Sequence, residues 1–107
     1  MIVKNETKKF VNMIDGVKRK TLAIGDKGMM GEFTLDEGAT LPAHSHPHEQ
    51  IGYLVSGELL FTIGTGEYLA KPGDSWAIPG NVLHSVKVLK SSVAVEVFVP
   101  VREDYLD

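Results

Sequence analysis

Apolar and polar residues alternate along short segments of this chain, and glycine or proline interrupts the pattern every few residues. The 107 residues include 11 glycines and 5 prolines. A period of two is typical of half-buried strands, and turn residues at this spacing predict an all-β sandwich or barrel. The first fifteen residues suggest an edge strand or a loosely held arm, and residues 101–106 a closing turn. Strands are predicted at residues 18–24, 29–35, 50–55, 59–63, 75–78, 84–89 and 93–99.

Length and composition exclude several classes of function. A chain of 107 residues fits one domain, which we expect to span residues 1–107. Its net charge of −3 repels a phosphate backbone, so we expect no nucleic-acid partner. Without cysteine there can be no disulfide, thiolate nucleophile or cysteine-type metal site. No apolar run is long enough for a membrane span or a signal peptide, which predicts a soluble, cytoplasmic protein.

Three of the four histidines, His44, His46 and His48, lie within five residues of one another. Residues two positions apart in an extended segment share a face, so His44 and His46 project together. Gln50 continues that parity whereas Glu49 opposes it, which favours Gln50 as a metal ligand. Imidazoles arranged in this way can converge on one ion. The alternative interpretation is that they are surface-loop histidines, or that one is a hydrogen-bonded core histidine.

The fourth histidine, His84, begins the strand predicted for residues 84–89. A sheet folded on itself brings distant strands together, so His84 can join the cluster. Any metal must be held by histidine, carboxylate or amide groups, because cysteine is absent. Three imidazoles and an amide carry no charge, so a divalent ion bound by them keeps its full formal charge and favours anionic ligands.

The last predicted strand carries a carboxylate, Glu96, between Ala94 and Phe98 in an otherwise apolar segment. Such a residue lies either on the solvent face or in a polar cavity. Beyond Pro100, Arg102 can hold an anionic group through a bidentate contact. It can equally form a surface ion pair with one of the acidic residues that follow it, Glu103 and Asp104.

Two spaced motifs resemble those of the cupin family. The first covers residues 38–57, with Gln50 where the family carries Glu, and the second covers residues 73–84. The resemblance implies an all-β fold, the double-stranded β-helix or jelly-roll barrel of small cupins, with a metal ion inside. The positions that carry it are Gly38, His44, His46, Gln50 and Gly57, then Gly73, Pro79 and His84.

Two longer stretches, HSHPHEQIGYLVSGE and EVFVPVREDYL, resemble the small cupins of pectin and alginate degradation. That group linearises 4,5-unsaturated uronates, so the resemblance implies an anionic sugar substrate and a homodimer. It also implies one divalent transition metal (Ni, Fe, Mn, Co or Zn) on His44, His46, Gln50 and His84. The catalytic acid, aromatic residue and arginine of the group correspond to Glu96, Phe98 and Arg102. The group carries Asp where this chain has Glu96.

Other functions fit the same features. Several cupins are metal-dependent dioxygenases, and oxygen uptake would distinguish that activity. A non-enzymatic cupin that binds a sugar or small anion would keep the barrel and the metal without turnover. A metal-free isomerase of the sugar-nucleotide type is the alternative that the dense histidine set favours least.

Overall fold

Strands make up 60% of the structure and helices 6%, which confirms the all-β prediction. The computed structural model describes residues 1–107. Its two helices are three-residue 3-10 turns, Asn5–Thr7 and Glu103–Tyr105, and neither has the length or apolar character of a membrane span. The strands are β1 (Val11–Ile14), β2 (Val17–Ile24), β3 (Met29–Leu35), β4 (Thr40–His44), β5 (Glu49–Ile63), β6 (Gly66–Ala70), β7 (Ser75–Ile78) and β8 (His84–Val99).

All eight strands belong to one antiparallel sheet that folds over on itself. The order is β1-β2-β3-β8-β5-β6, with β4 paired to β8 and β7 paired to β5. The long strands β5 and β8 pair from Glu49 opposite Val99 to Ile63 opposite His84. The first half of β8 also pairs with β4, and its second half pairs with β3. Both long strands therefore run through the two packed faces of the molecule.

The break expected between the strands predicted at 50–55 and 59–63 is instead an irregularity inside the continuous strand β5. The β5–β8 register shifts around Ser56 and Glu58. Gly57 has φ +94°, and a Cβ there would lie 2.0 Å from the Ser92 Oγ. That hydroxyl accepts the Glu58 N–H at 3.0 Å and donates to the Lys90 carbonyl at 2.6 Å. The strands predicted at 50–55 and 59–63 are thus one bulged strand, and those at 84–89 and 93–99 are likewise one.

Three short strands carry too little pattern to be predicted from the sequence. β4 contains Pro42, which cannot donate a ladder hydrogen bond, and β6 follows β5 after a tight turn. β1 pairs only with β2 and is the edge strand that was one of the two expectations for the N-terminal segment. The closing turn expected within residues 101–106 forms at Glu103–Tyr105.

The apolar core fills the space between the two faces. On β8 the even-numbered residues from His84 to Phe98 are buried, except Lys90, which is exposed, and the odd-numbered valines are half-buried or exposed. The core contains thirteen buried apolar residues: Val17, Met29, Phe33, Leu35, Leu54, Leu59, Phe61, Ala70, Ile78, Val86, Val88, Ala94 and Phe98.

We expect Leu54→Ala to lower the free energy of unfolding by about 2–5 kcal/mol, because the side chain is completely buried and its loss leaves a cavity. Urea denaturation measures the change. The matched control is Leu89→Ala, at a leucine that is 41% exposed, for which we expect about 0.5 kcal/mol or less. Equal losses in the two variants would contradict this description of the core.

Candidate metal centre and catalytic face

Strand pairing brings three histidines to one point in the interior. His44, at the end of β4, lies directly opposite His84, at the start of β8, and their ring centroids are 4.4 Å apart. His46 follows two residues after His44, with ring centroids 5.1 Å from His84 and 5.7 Å from His44. One nitrogen from each ring lies within 4.8 Å of the other two. The three imidazoles can therefore share one ion.

Hydrogen bonds fix the tautomer of each ring. In all three histidines Nδ1 lies at hydrogen-bond distance from a backbone carbonyl, which can only accept, so Nδ1 carries the proton. The lone pair of Nε2 is then free for a metal ion. The pairs are His44 with Pro42 (2.9 Å), His46 with His48 (3.0 Å) and His84 with Val82 (2.9 Å).

The chemistry of this donor set fits a cation. The Nε2 atom of His84 is buried and has no hydrogen-bond partner, although such an unpaired acceptor costs about 1–3 kcal/mol. Burial lowers the pKa of both His46 and His84, and the Arg102 guanidinium lowers that of His46 further, which keeps the rings neutral. Neutral imidazole is the form that binds metal.

Gln50 supplies a fourth donor and links the histidines to the carboxylate. Its amide nitrogen donates to Glu96 Oε1 at 2.7 Å, which turns its amide oxygen towards His46 Nε2 at 3.0 Å. Both of these last atoms present lone pairs, and a cation beside them would relieve their mutual repulsion. Glu49 is exposed, so Gln50 and not Glu49 faces the site, in agreement with its parity. Nitrogen-rich ligation suits a transition metal better than calcium or magnesium.

Glu96 is buried and faces the interior of the barrel. Its side chain is only 8% exposed and lies between Ala94 and Phe98, which point the same way. One oxygen, Oε1, accepts hydrogen bonds from Gln50 and, at 2.8 Å, from the indole N–H of Trp76. Burial raises the pKa of Glu96, and the two hydrogen bonds and Arg102 oppose that rise. Of the two expectations for this residue, the polar-cavity interpretation is the one observed.

Phe98 and Arg102 border the same space. The Phe98 ring meets the His46 ring edge-on, with centroids 6.0 Å apart. The Arg102 guanidinium lies 3.9 Å from the centre of the Tyr105 ring and 5.1 Å from that of Phe98. It donates to both carboxylate oxygens of Asp104, at 2.8 and 3.3 Å. The ion pair expected with Glu103 or Asp104 therefore forms with Asp104.

These side chains enclose an internal cavity of about 50 Å³. Of the seven residues predicted for the site, six line it: His44, Gln50, His84, Glu96, Phe98 and Arg102. His46 contacts them from the side through Gln50 and His84. A larger open cleft of about 640 Å³ lies on the other side of Trp76 and Phe61, which border both spaces.

Three further residues lie beside the histidine cluster or the cavity. His48 does not join the histidine cluster, and its buried Nδ1 has no partner. Trp76 and Tyr105 both line the cavity, although neither was among the residues predicted for the site. The only available signal was chemical, since a buried indole N–H usually finds a hydrogen-bond partner.

Residues 31–100 match the cupin domain family, Cupin_2, and no curated protein matches the sequence. The fold is similar to that of KdgF from Halomonas sp., with 28% identity, a TM-score of 0.92 and coverage of 99% of this chain and 98% of that chain. An RmlC-like cupin from Shewanella frigidimarina gives 27% identity and the same TM-score, covering 98% of this chain and 95% of that one. The cupin jelly roll is thereby confirmed.

A more distant likeness shows the fold alone. A predicted oxalate decarboxylase from Thermotoga maritima is 18% identical, with a TM-score of 0.76 and coverage of 94% of this chain and 99% of that chain. The barrel is thus common to proteins whose sequences have diverged widely, and function must be argued from the site.

We expect His84→Ala to weaken zinc or nickel binding, because it removes the unpaired Nε2 that would bind the ion. Loss of a residue that only supports a metal ligand weakens binding roughly 10- to 100-fold, and loss of His84 should weaken it more. Isothermal titration calorimetry measures the dissociation constant. The matched control is His48→Ala, which removes a neighbouring imidazole outside the cluster and should leave affinity unchanged. Equal effects of the two substitutions would contradict the proposed ligand set.

Proposed function

The chain belongs to the cupin domain family, and on that premise we propose that it is a metal-dependent enzyme that opens the ring of 4,5-unsaturated uronates. The proposal rests on one observation: a buried carboxylate, an arginine and a metal-type histidine set face a single cavity. The motifs of the uronate-linearising cupins and the likeness to KdgF from Halomonas sp. support it.

Each predicted residue has a part in this reaction. His44, His46, Gln50 and His84 would hold the ion, which when bound supplies a Lewis acid able to polarise a substrate oxygen. Ring opening removes the proton of the anomeric hydroxyl, breaks the bond between C1 and the ring oxygen, and returns a proton to C4 as the enol becomes a ketone. The product is a linear keto sugar acid with the same atoms as the substrate.

Glu96 is the group we assign to the proton transfers. Its Oε1 is occupied by the hydrogen bonds from Gln50 and Trp76, while Oε2 has no hydrogen-bond partner and is the oxygen available to a substrate. The carboxylate borders the cavity beside the histidines, so a ligand there would lie between the two. Phe98 forms the apolar wall.

Arg102 is the group we assign to the substrate carboxylate. In its present position the guanidinium is engaged by Asp104 through Nε and Nη2, so an anionic ligand that pairs with the same two nitrogens would displace that carboxylate. Pockets for small ligands usually measure about 300–1,000 Å³, whereas this cavity holds about 50 Å³. Movement of the turn that carries Asp104 and Tyr105 would both free Arg102 and open the space.

The small cavity and the ion pair between Arg102 and Asp104 also favour a second function, in which the protein binds a small anion without converting it. Saturable binding without turnover is its signature. We also propose that the protein is a cytoplasmic homodimer, as the sequence leads us to expect. Exposed apolar residues on the outer face of β5, namely Ile51, Tyr53 and Val55, offer a surface for such pairing.

We expect Glu96→Gln to lower turnover about 10²- to 10⁴-fold, the usual contribution of a positioned acid or base, with metal content unchanged. Loss of ultraviolet absorbance by the conjugated double bond of 4,5-unsaturated galacturonate measures turnover. The matched control is Glu49→Gln, at the exposed neighbour of Gln50, which should retain full activity. Full activity in Glu96→Gln would remove Glu96 from the mechanism. A metal-loaded wild type no faster than the spontaneous reaction would contradict the function and lead to oxygen-uptake and binding assays.

We expect Arg102→Gln and Asp104→Asn to move KM in opposite directions. Loss of the guanidinium removes a charge-assisted hydrogen bond worth about 1.5–3 kcal/mol and should raise KM about 10- to 100-fold. Loss of the competing carboxylate frees Arg102 and should lower KM. Steady-state kinetics on the same substrate measures both values. A higher KM in both variants would show that the ion pair only maintains the fold.

A further inference from the structure

Glu96 and three other residues form a row across four neighbouring strands. Gly31 on β3 and Gly52 on β5 lie opposite Glu96 on either side, and Trp76 on β7 lies opposite Gly52. Both cross-strand neighbours of the carboxylate therefore lack a side chain. Trp76 is two strands away from Glu96, a backbone separation of roughly 10 Å.

The indole bridges this separation by lying across Gly52. A Cβ at Gly52 would stand 2.2 Å from both Cε2 and Nε1 of Trp76, closer than any real contact. The Phe61 ring packs beside the indole, with centroids 4.7 Å apart. The N–H thereby reaches Glu96 Oε1 at 2.8 Å. Only glycine at position 52 leaves room for this path.

The contact determines which carboxylate oxygen is free. Gln50 and Trp76 donate to the same atom, Oε1, from different sides, and Oε2 is left without a hydrogen bond. If the indole N–H were absent, a single bond would hold the carboxylate and its side chain could rotate. A glutamate has one more rotatable bond than an aspartate, so it gains more from a second anchor.

We propose that Trp76 is a positioning residue that holds Glu96 in its reactive orientation, and that Gly52 is the gap through which it does so. The catalytic consequence rests on the proposed function, whereas the contact itself does not. If Trp76 served only as core packing, activity would depend on the presence of its ring and would not depend on its N–H.

The contact can be tested directly because Trp76 is the only tryptophan in the chain, so the 15N-labelled protein has one indole N–H signal. In the zinc-loaded protein we expect that signal to be shifted and slow to exchange with solvent. Glu96→Ala removes the acceptor and Gly52→Ala displaces the ring, so both should move the signal to the position of a free indole and speed its exchange. The control Tyr68→Phe removes a hydroxyl from the outer cleft and should change neither property. An indole signal unaltered in Glu96→Ala would overturn the proposal.

Kinetics then separate positioning from packing. Trp76→Phe keeps an aromatic ring and removes the N–H, and we expect kcat to fall about 10- to 100-fold, the cost of a misplacement near 1 Å, with little change in KM. In a protein that already carries Glu96→Gln, the same substitution should not lower kcat further, because the two residues act as one unit. Equal losses in both backgrounds would overturn the proposal.

Failure of the proposed function has a different signature from failure of this inference. A metal-loaded wild type without turnover contradicts uronate opening, and the indole signal still decides whether Glu96 is the acceptor. If Gly52→Ala does not fold, Glu96→Ala and Trp76→Phe decide alone, since neither adds an atom to the crowded row.

Discussion

Strands β5 and β8 pair from Glu49 with Val99 to Ile63 with His84, and β3, β4, β6 and β7 each hydrogen-bond to one of the two. Their register places Gln50, Gly52 and Glu96 on the inner face together, and a slip of one residue between the strands would turn the inner side chains of one of them towards solvent. The bulge at Gly57 lets the pair bend without ending. Because these partners are far apart in sequence, loop closure precedes most of the stabilising contacts, which is typical of slow-folding β proteins.

Much of this arrangement could be predicted from residue patterns. The two motifs identified the barrel, and parity along an extended chain selected Gln50 over Glu49. Each long strand was predicted as two shorter ones. At Gly57 the reason is that a glycine is expected in a turn as much as in a bulge. The sequence offered two acidic neighbours, Glu103 and Asp104, as ion-pair partners of Arg102. The folded structure selects Asp104.

The row through Glu96 could not be predicted. Its members lie on four strands, and the register between strands depends on how the sheet folds, which no local pattern encodes. Alternation left the orientation of Glu96 open between solvent and cavity. Nothing near Gly52 in the sequence distinguishes a glycine that makes room for Trp76 from one that permits a turn.

The amide at position 50 matters for the electrostatics of the interior. Its oxygen presents a lone pair to the histidine cluster, and its nitrogen donates a hydrogen bond to Glu96. A glutamate there would set two carboxylates at hydrogen-bond distance, and such pairs share a proton instead of both ionising. The amide therefore gives the buried carboxylate a hydrogen-bond donor where a second carboxylate would compete with it for a proton.

The pairing of Arg102 with Asp104 has a consequence for ligand selection. A carboxylate tethered two residues away acts at a high effective concentration, of millimolar order for short flexible links. A free anion that touches Arg102 alone competes poorly against it. A ligand that reaches the histidine end of the cavity at the same time gains a second contact and behaves as a bivalent binder. The ion pair between Arg102 and Asp104 thus favours ligands that make two contacts in the cavity over ligands that make one, before any reaction takes place.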